Sequence, residues 1–374
     1  MSTVISRNAE FLFLYDAQNC NPNGDPDQEN KPRMDKPTKT NLVTDLRVKR
    51  YVRDYLIEQG KEVFVGQVDG RKVSVETRLN TVIEKLKDDK TKISELIQRD
   101  EKLRDFVAQV QAHISSTQGK EQEDVLVAAM NDKLNSTAEK EAKKKEDDYI
   151  KSIKGTANNL VLAALIKTRF IDIRYFGGAF AVSGFSRTFI GPIQINLGYS
   201  LHPVELNPSN TIVTTMNDDS STFGKKENVF YSLLGFTGTI NAAKAPEVNL
   251  QASDVEEFRK ALILSLYSIK TDSKKNQYPR LYVEIEYKDK EVSGRLGDLR
   301  DYVSVKAKTL DPSGKEDFTR VRSLHDLELD FTKLGEKIAS IKDRIETVRV
   351  WRSQDDVFNA FTLPADITVT TLSI

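Results

Sequence analysis

Eight basic side chains gather between Lys31 and Arg53: Lys31, Arg33, Lys36, Lys39, Arg47, Lys49, Arg50 and Arg53. Only Asp35 and Asp45 oppose them in that stretch. Arginine and lysine at this density can neutralise a row of phosphates and release their counterions, so affinity would fall with salt. Upstream, Asp16 to Pro26 spells Asp-Ala-Gln-Asn-Cys-Asn-Pro-Asn-Gly-Asp-Pro. Asn19, Asn21 and Asn23 carry amide donors and Gly24 exposes backbone, groups able to hold phosphate oxygens and sugar hydroxyls. Plainer readings compete. Asn, Pro and Gly make turns for backbone reasons alone, and charges on a helix are commonly a solvated face. The loop also mimics the start of a calcium-binding loop at Asn19, but the twelfth position, where a bidentate Glu belongs, is Asn30.

Chemistry beyond binding has little to stand on. The three histidines, His113, His202 and His325, fall in unrelated elements, and no Ser-His-Asp order or acidic metal cluster stands out. Gly224-Lys225-Lys226 lacks the Gly-x-x-x-x-Gly-Lys-Ser/Thr frame of a nucleotide phosphate loop. Cys20 is the single cysteine, which leaves neither an intrachain disulfide nor a multi-cysteine metal site, and no role for it follows. The expectation is a binding protein without catalytic residues, cofactor or metal.

The balance of the whole chain gives this local charge its meaning. Across 374 residues Lys+Arg 56 meet Asp+Glu 56, with a sequence pI near 6.9. That excludes a histone-like binder whose basicity is global. Weak self-repulsion favours association between copies. There is neither an N-terminal signal pattern nor a bilayer-length apolar run, so a soluble, cytoplasmic protein without a membrane partner is expected.

Several elements must position these residues. Phe11-Leu-Phe-Leu-Tyr15 is too short for a buried helix and ends in turn residues, as a central strand does. The spacing predicts a helix over about Asn41 to Gln59, with Val48, Tyr51, Val52 and Tyr55 on one arc and Gly60 as its stop. Lys61 to Val75 reads as short strands. Glu76 to about Lys154 is dense in charge with apolar residues at helical spacing, which predicts a helical insertion; its Lys140 to Asp148 run is expected to be poorly ordered. Arg169 to Phe176 and Gly191 to Leu201 alternate like strands. A long polar loop, about Pro203 to Asn228, precedes a strand over Val229 to Ile240. Ser253-Asp-Val-Glu256 reads as a capping box ahead of a helix. Arg280 to Tyr287 has the period of a strand, and a helical segment is expected near Lys333 to Arg344. With insertions removed, the order is that of an α+β chain with the βαββαβ arrangement of the ferredoxin-like or RNA-recognition fold.

Asn21-Pro-Asn-Gly-Asp-Pro26, Asn30-Lys-Pro-Arg33 and above all Val43-Thr-Asp-Leu-Arg-Val-Lys-Arg50 resemble the guide-RNA-binding backbone subunit of type I CRISPR surveillance complexes (Cascade), closest to the type I-B and I-C branches. Further matches are Asp172-Ile-Arg-Tyr-Phe-Gly-Gly-Ala-Phe180, Gly191-Pro-Ile-Gln194 and Phe223-Gly-Lys-Lys226 leading into Phe230-Tyr231. The resemblance covers most of the chain in order, more weakly in the charged insertion and the C-terminal region. It implies a hand-like protein with a modified RNA-recognition palm, a helical fingers insertion and a thumb hairpin. The implied division is 1–75 for the first half of the palm, 76–166 for the fingers, 167–290 for the second half with a thumb loop at about 203–228, and 291–374 for an extension packed on the palm.

By the same resemblance, Asn19, Asn21, Asn23, Gly24, Lys31 and Arg33 lie along the guide backbone, and Thr44, Arg47, Lys49, Arg50 and Arg53 add helix contacts. Gly177 and Gly178 let RNA approach closely, while Phe223, Gly224, Lys225 and Lys226 sit on the thumb. Implied partners are guide RNA, target DNA through the guide, copies of the chain packed head to tail, and the other subunits of the complex. The rival expectation is an endoribonuclease of related fold that processes precursor CRISPR RNA. His202 is its only candidate acid or base near an RNA-facing loop.

Overall fold

The structure, a computed structural model, describes residues 3–66, 73–132, 140–182, 184–209, 211–214, 222–288 and 296–374. It is mixed α+β and divides into two compact units: Met1–Gly60, Gly191–Pro246 and Leu250–Ile374 form one, Lys61–Ile190 with Glu247–Asn249 the other.

Seven elements carry the first unit: β1 (Ala9–Cys20), α1 (Asp45–Glu58), β2 (Gly198–Ser200), β3 (Val229–Ile240), α2 (Ala252–Leu264), β4 (Gln277–Tyr287) and β5 (Ile345–Arg352). The sheet runs β5-β4-β1-β3-β2 with every neighbour antiparallel. β1 is apolar at consecutive positions because both of its faces are covered. On one face Phe11 meets Phe258 of α2 at 6.1 Å and Tyr15 stacks on Phe236 at 5.4 Å, with α1 packed beside α2. On the other, Leu12 and Leu14 enter a core with Leu299, Leu324, Phe331 and Leu334 of the C-terminal region. Each such side chain contributes roughly 1.5–3 kcal/mol on burial, so neither face is spare surface.

Several local expectations are corrected. The first helix begins at Asp45 rather than Asn41, because Thr40–Val43 forms a strand that pairs Leu42 with Tyr199 at the sheet edge. The α2 cap is built by Gln251 and Asp254 instead of Ser253 and Glu256. Among the described residues of Lys61 to Val75 there is no strand. Arg169 to Phe176 is helical: Lys140–Arg169 is one helix and Ile171–Phe176 a second, stopped by Gly177 at φ 73.

In the second unit, helices Val75–Lys87, Lys90–Arg99 and Glu101–His113 start on Ser74, Asp89 and Asp100, each accepting a backbone N–H. The run Lys140 to Asp148, expected to be poorly ordered, is instead the first part of the long helix. There Glu146 accepts from Ser116 N at 3.2 Å and Ser116 Oγ at 2.6 Å. The unit ends in a hairpin, Gly177–Val182 with Phe185–Ile190. Among the described residues no helix is long and apolar enough to cross a membrane.

Candidate nucleic-acid interface

The Asn-Pro-Gly loop is built from its own side chains. Asn19 has φ 49, a left-handed conformation that Asn tolerates, and its side chain is exposed. Asn21 and Asn23, by contrast, are 6% and 5% exposed. Asn21 Nδ2 donates to Asn30 O at 2.7 Å, while Asn23 Oδ1 accepts from Thr44 N at 3.2 Å and Thr44 Oγ1 at 3.0 Å. Thr44 is the N-cap of α1 without a cap bond of its own, so Asn23 supplies the acceptor that satisfies its free N–H. Gly24 is required by space: a Cβ there would lie 2.7 Å from Asn30 Oδ1 and 2.8 Å from Asn30 O.

Carboxylates answer most of the basic residues on α1 and the loop. Lys49 pairs with Asp45 at 2.9 Å, Arg50 with Asp54 at 2.7 Å, Arg33 with Asp25 at 3.3 Å and Lys31 with Glu29 at 3.4 Å. Lys49 and Arg53 are each 9% exposed, on the buried side of the helix with Val48, Tyr51, Val52 and Leu56. Arg47 is different. It lies over the Tyr51 ring at 5.8 Å, without a carboxylate partner among the described residues.

A segment with no motif of its own, Thr271 to Gln277, joins the loop to α1. Asn21 N donates to Ser273 O at 2.9 Å, and Lys274 Nζ to Asn21 O at 2.6 Å. Gln277 Nε2 donates to Tyr51 OH at 3.1 Å, and Tyr51 OH to Pro22 O at 3.3 Å. Burial, and then the charge of Arg47, push Lys274 down to about 8. Beside it Asp272 takes Lys226 at 2.7 Å and Lys275 at 2.7 Å, which holds its carboxyl at about 2. The structure therefore brings the loop at Asn21, Arg47 and Lys226 close to Lys274, with Thr44 tied to the same loop through Asn23; among the described residues Asn19 makes no hydrogen bond there. Lys274 is absent from the candidates that the sequence suggests; the two adjacent lysines in a polar run before β4 were the available signal. Cys20 is buried there, its thiol pushed up to about 12 by desolvation, with Sγ 3.7 Å from Asn276 O.

The remaining candidates sit elsewhere. Gly177 and Gly178 belong to the second unit; Gly177 has φ 73, and a Cβ at Gly178 would meet Ile173 Cδ1 at 3.0 Å. Phe223, Gly224 and Lys225 form a strand paired through the backbone with Thr211–Thr214, and residues 215–221 of the expected thumb lie outside the described residues. His202 is 4% exposed and stacks on Tyr231 and Phe318, each at 5.9 Å. Its Nε2 accepts from Leu233 N at 3.1 Å, its Nδ1 lies 2.8 Å from Pro203 O, and burial lowers it to about 4. Such a ring is a neutral core element. Among the described residues no three His, Cys, Asp or Glu converge as metal ligands.

Because both faces of the central strands are covered, bases cannot stack on the sheet as they do in RNA-recognition domains. Among the described residues, Arg47 at the start of α1 and Lys274 beside the loop end of β1 are two cations without a carboxylate partner. The family model for CRISPR-associated protein Cas7 matches residues 7–332, and the chain belongs to that family. A relative described as CRISPR-associated protein Cas7, from Haloferax volcanii, is 27% identical over 357 residues, covering 93% of this chain and 87% of its own length. Two solved structures are similar at 13% identity, each covered 96% and covering 98% of this chain: a "CRISPR RNA-guided surveillance complex, pre-nicking" at TM-score 0.49 and a "CRISPR RNA-guided surveillance complex" at 0.43.

Proposed function

We propose that this chain is a non-catalytic backbone subunit of a cytoplasmic type I CRISPR RNA-guided complex. It holds guide RNA by its ribose-phosphate backbone, without regard to sequence, and leaves the bases free to pair with target DNA. Copies pack head to tail along the guide beside the other subunits. The observation that carries this reading is the Cas7 match over residues 7–332, joined to the gathering of the Asn loop, the start of α1, Lys226 and Lys274 at one place. The order β4-β1-β3-β2, with α1 and α2 packed together, supports a ferredoxin-like palm. In the same reading the helical Lys61–Ile190 unit serves as fingers, with Gly177 and Gly178 at their hairpin. Thr211–Thr214 and Thr222–Lys225 begin the thumb, and the C-terminal region is the extension that closes the palm.

Arg47 and Lys274 on the palm and Lys225 at the thumb meet phosphates directly. Lys31, Arg33, Lys49, Arg50 and Lys226 do so by leaving their carboxylates, while Asn21, Asn23, Gly24 and Thr44 keep the loop in shape. The endoribonuclease reading needs His202 at the RNA, and its burial and lowered pKa speak against that role. Binding of two labelled guide RNAs of unrelated sequence, titrated with salt in the presence of a chelator, tests the proposal. The expected result is similar affinity for both, a straight decline of log affinity with log salt, and intact RNA. Site-specific cleavage, or affinity indifferent to salt, would defeat it.

A further inference from the structure

We infer that the cleft between α1 and the 265–274 segment is a phosphate subsite, in which Arg47 and Lys274 together grip one phosphate of the guide backbone. This rests on the guide-RNA reading above and deepens it. The cleft holds about 440 Å³ and is lined by four cations, Arg47, Arg50, Lys270 and Lys274. Two are already answered: Arg50 by Asp54 at 2.7 Å, and Lys270 by Glu58 at 2.7 Å. Arg47 and Lys274 have no carboxylate among the described residues; one rests over the Tyr51 ring and the other donates to the Asn21 carbonyl. Two neighbouring like charges raise each other's free energy, and a third, opposite charge relieves both. A phosphate oxygen pair suits the planar donors of an arginine, and a third oxygen suits the point charge of a lysine.

The surroundings leave Lys274 as the titrating member. From β1 it faces Cys20, whose thiol is pushed up to about 12, and from α1 it faces Tyr51, also pushed up to about 12. On its own loop, Asp272 is held by Lys226 and Lys275. Free Lys274 loses its proton above about 8, and a bound phosphate raises that value, so anion binding and proton uptake are linked. Affinity for RNA is expected to fall as pH rises from 7 to 9, by at most about tenfold per unit for one linked proton.

The test compares the full chain with Lys274→Arg and Lys274→Gln, using a labelled single-stranded RNA at both pH values and over a salt series. Wild type should weaken at pH 9, Lys274→Arg should be flat with pH, and Lys274→Gln should be weaker and lower the salt slope by about one. Circular dichroism of each variant establishes that it is folded. If wild type binds RNA with no pH dependence, the subsite is overturned while the guide reading stands, and that result needs no variant. If Lys274→Gln binds a short RNA normally but fails to assemble on a long one, the missing anion is a carboxylate of a second copy and the subsite is again overturned. If wild type binds no RNA at all, the failure belongs to the guide reading itself.

Discussion

Replacing His202 by Gln separates a core histidine from a reactive one. Burial holds the ring at about 4, against 6.5 for an exposed histidine. Below pH 6.5 the unfolded chain therefore takes up a proton that the native ring refuses, and stability is lost as pH falls toward 4. A difference of about 2.5 pKa units at 1.36 kcal/mol each amounts to ~3 kcal/mol, a sizeable part of the roughly 5–15 kcal/mol typical of a folded domain. Gln does not titrate, and its Oε1 can accept the Leu233 N–H that Nε2 now takes. Denaturant unfolding of both proteins at steps between pH 7 and pH 4 measures the effect. At pH 7 the variant should be less stable by about 1–3 kcal/mol, from the lost stacking and a less well placed hydrogen bond. As the pH falls the difference should shift by ~3 kcal/mol in the variant's favour, closing the gap or reversing it, because only wild type carries the histidine penalty. Stability curves that stay parallel would refute the reasoning and reopen a role for His202 in acid–base chemistry.

Two further substitutions probe the scaffold beneath the interface. Glu284 is fully buried and takes Arg259 at 2.6 and 2.8 Å, with Tyr282 OH at 2.5 Å. Glu284→Gln removes the buried charge that Arg259 faces, leaving it only Glu256 at 2.6 Å, and should cost about 3–5 kcal/mol in denaturant unfolding, with RNA affinity per folded molecule unchanged. Asn23→Ala leaves the half-buried Thr44 N–H without its acceptor, which should cost about 1 kcal/mol. It should also speed hydrogen exchange in the first turn of α1, and protection equal to wild type there would contradict the assigned cap.

The parts of this fold that were legible in the sequence are those whose period is set locally. Phe11 to Tyr15, Val229 to Ile240 and Arg280 to Tyr287 read as strands, and the helical spacing after Glu76 reads as helices, because burial on a face repeats with the element's own geometry. Arg169 to Phe176 misled because alternation over eight residues fits either period. What decides it is Asp172, whose carboxylate accepts Phe64 N at 2.6 Å and Val65 N at 3.0 Å from more than a hundred positions away. Thr40–Val43 became a strand for a similar reason, since Tyr199 offers it an edge. In the candidate site, residue types announced a loop and a basic helix, but spacing cannot say that the amides of Asn21 and Asn23 turn inward. Lys274 stands 253 positions from the Asn21 carbonyl it meets, so no local pattern could have joined them.

Neutral composition is compatible with the proposed guide binding because the cations of the candidate site fall into two groups. Arg47, Lys225 and Lys274 have no carboxylate partner among the described residues and can release counterions when phosphate arrives. Lys31, Arg50 and Lys226 sit in partly exposed pairs, each worth only about 0–1 kcal/mol, so a phosphate can displace the carboxylate at small cost. Lys49, with its side chain 11% exposed beside Asp45, gives up more by leaving. The salt slope per copy should therefore lie nearer the number of unpaired cations than the number of basic residues in the loop and helix. A single copy then holds any stray polyanion weakly. In the proposed assembly, several copies on one RNA multiply that modest affinity through effective concentration, and selectivity for a long guide then follows from repetition rather than from any base contact.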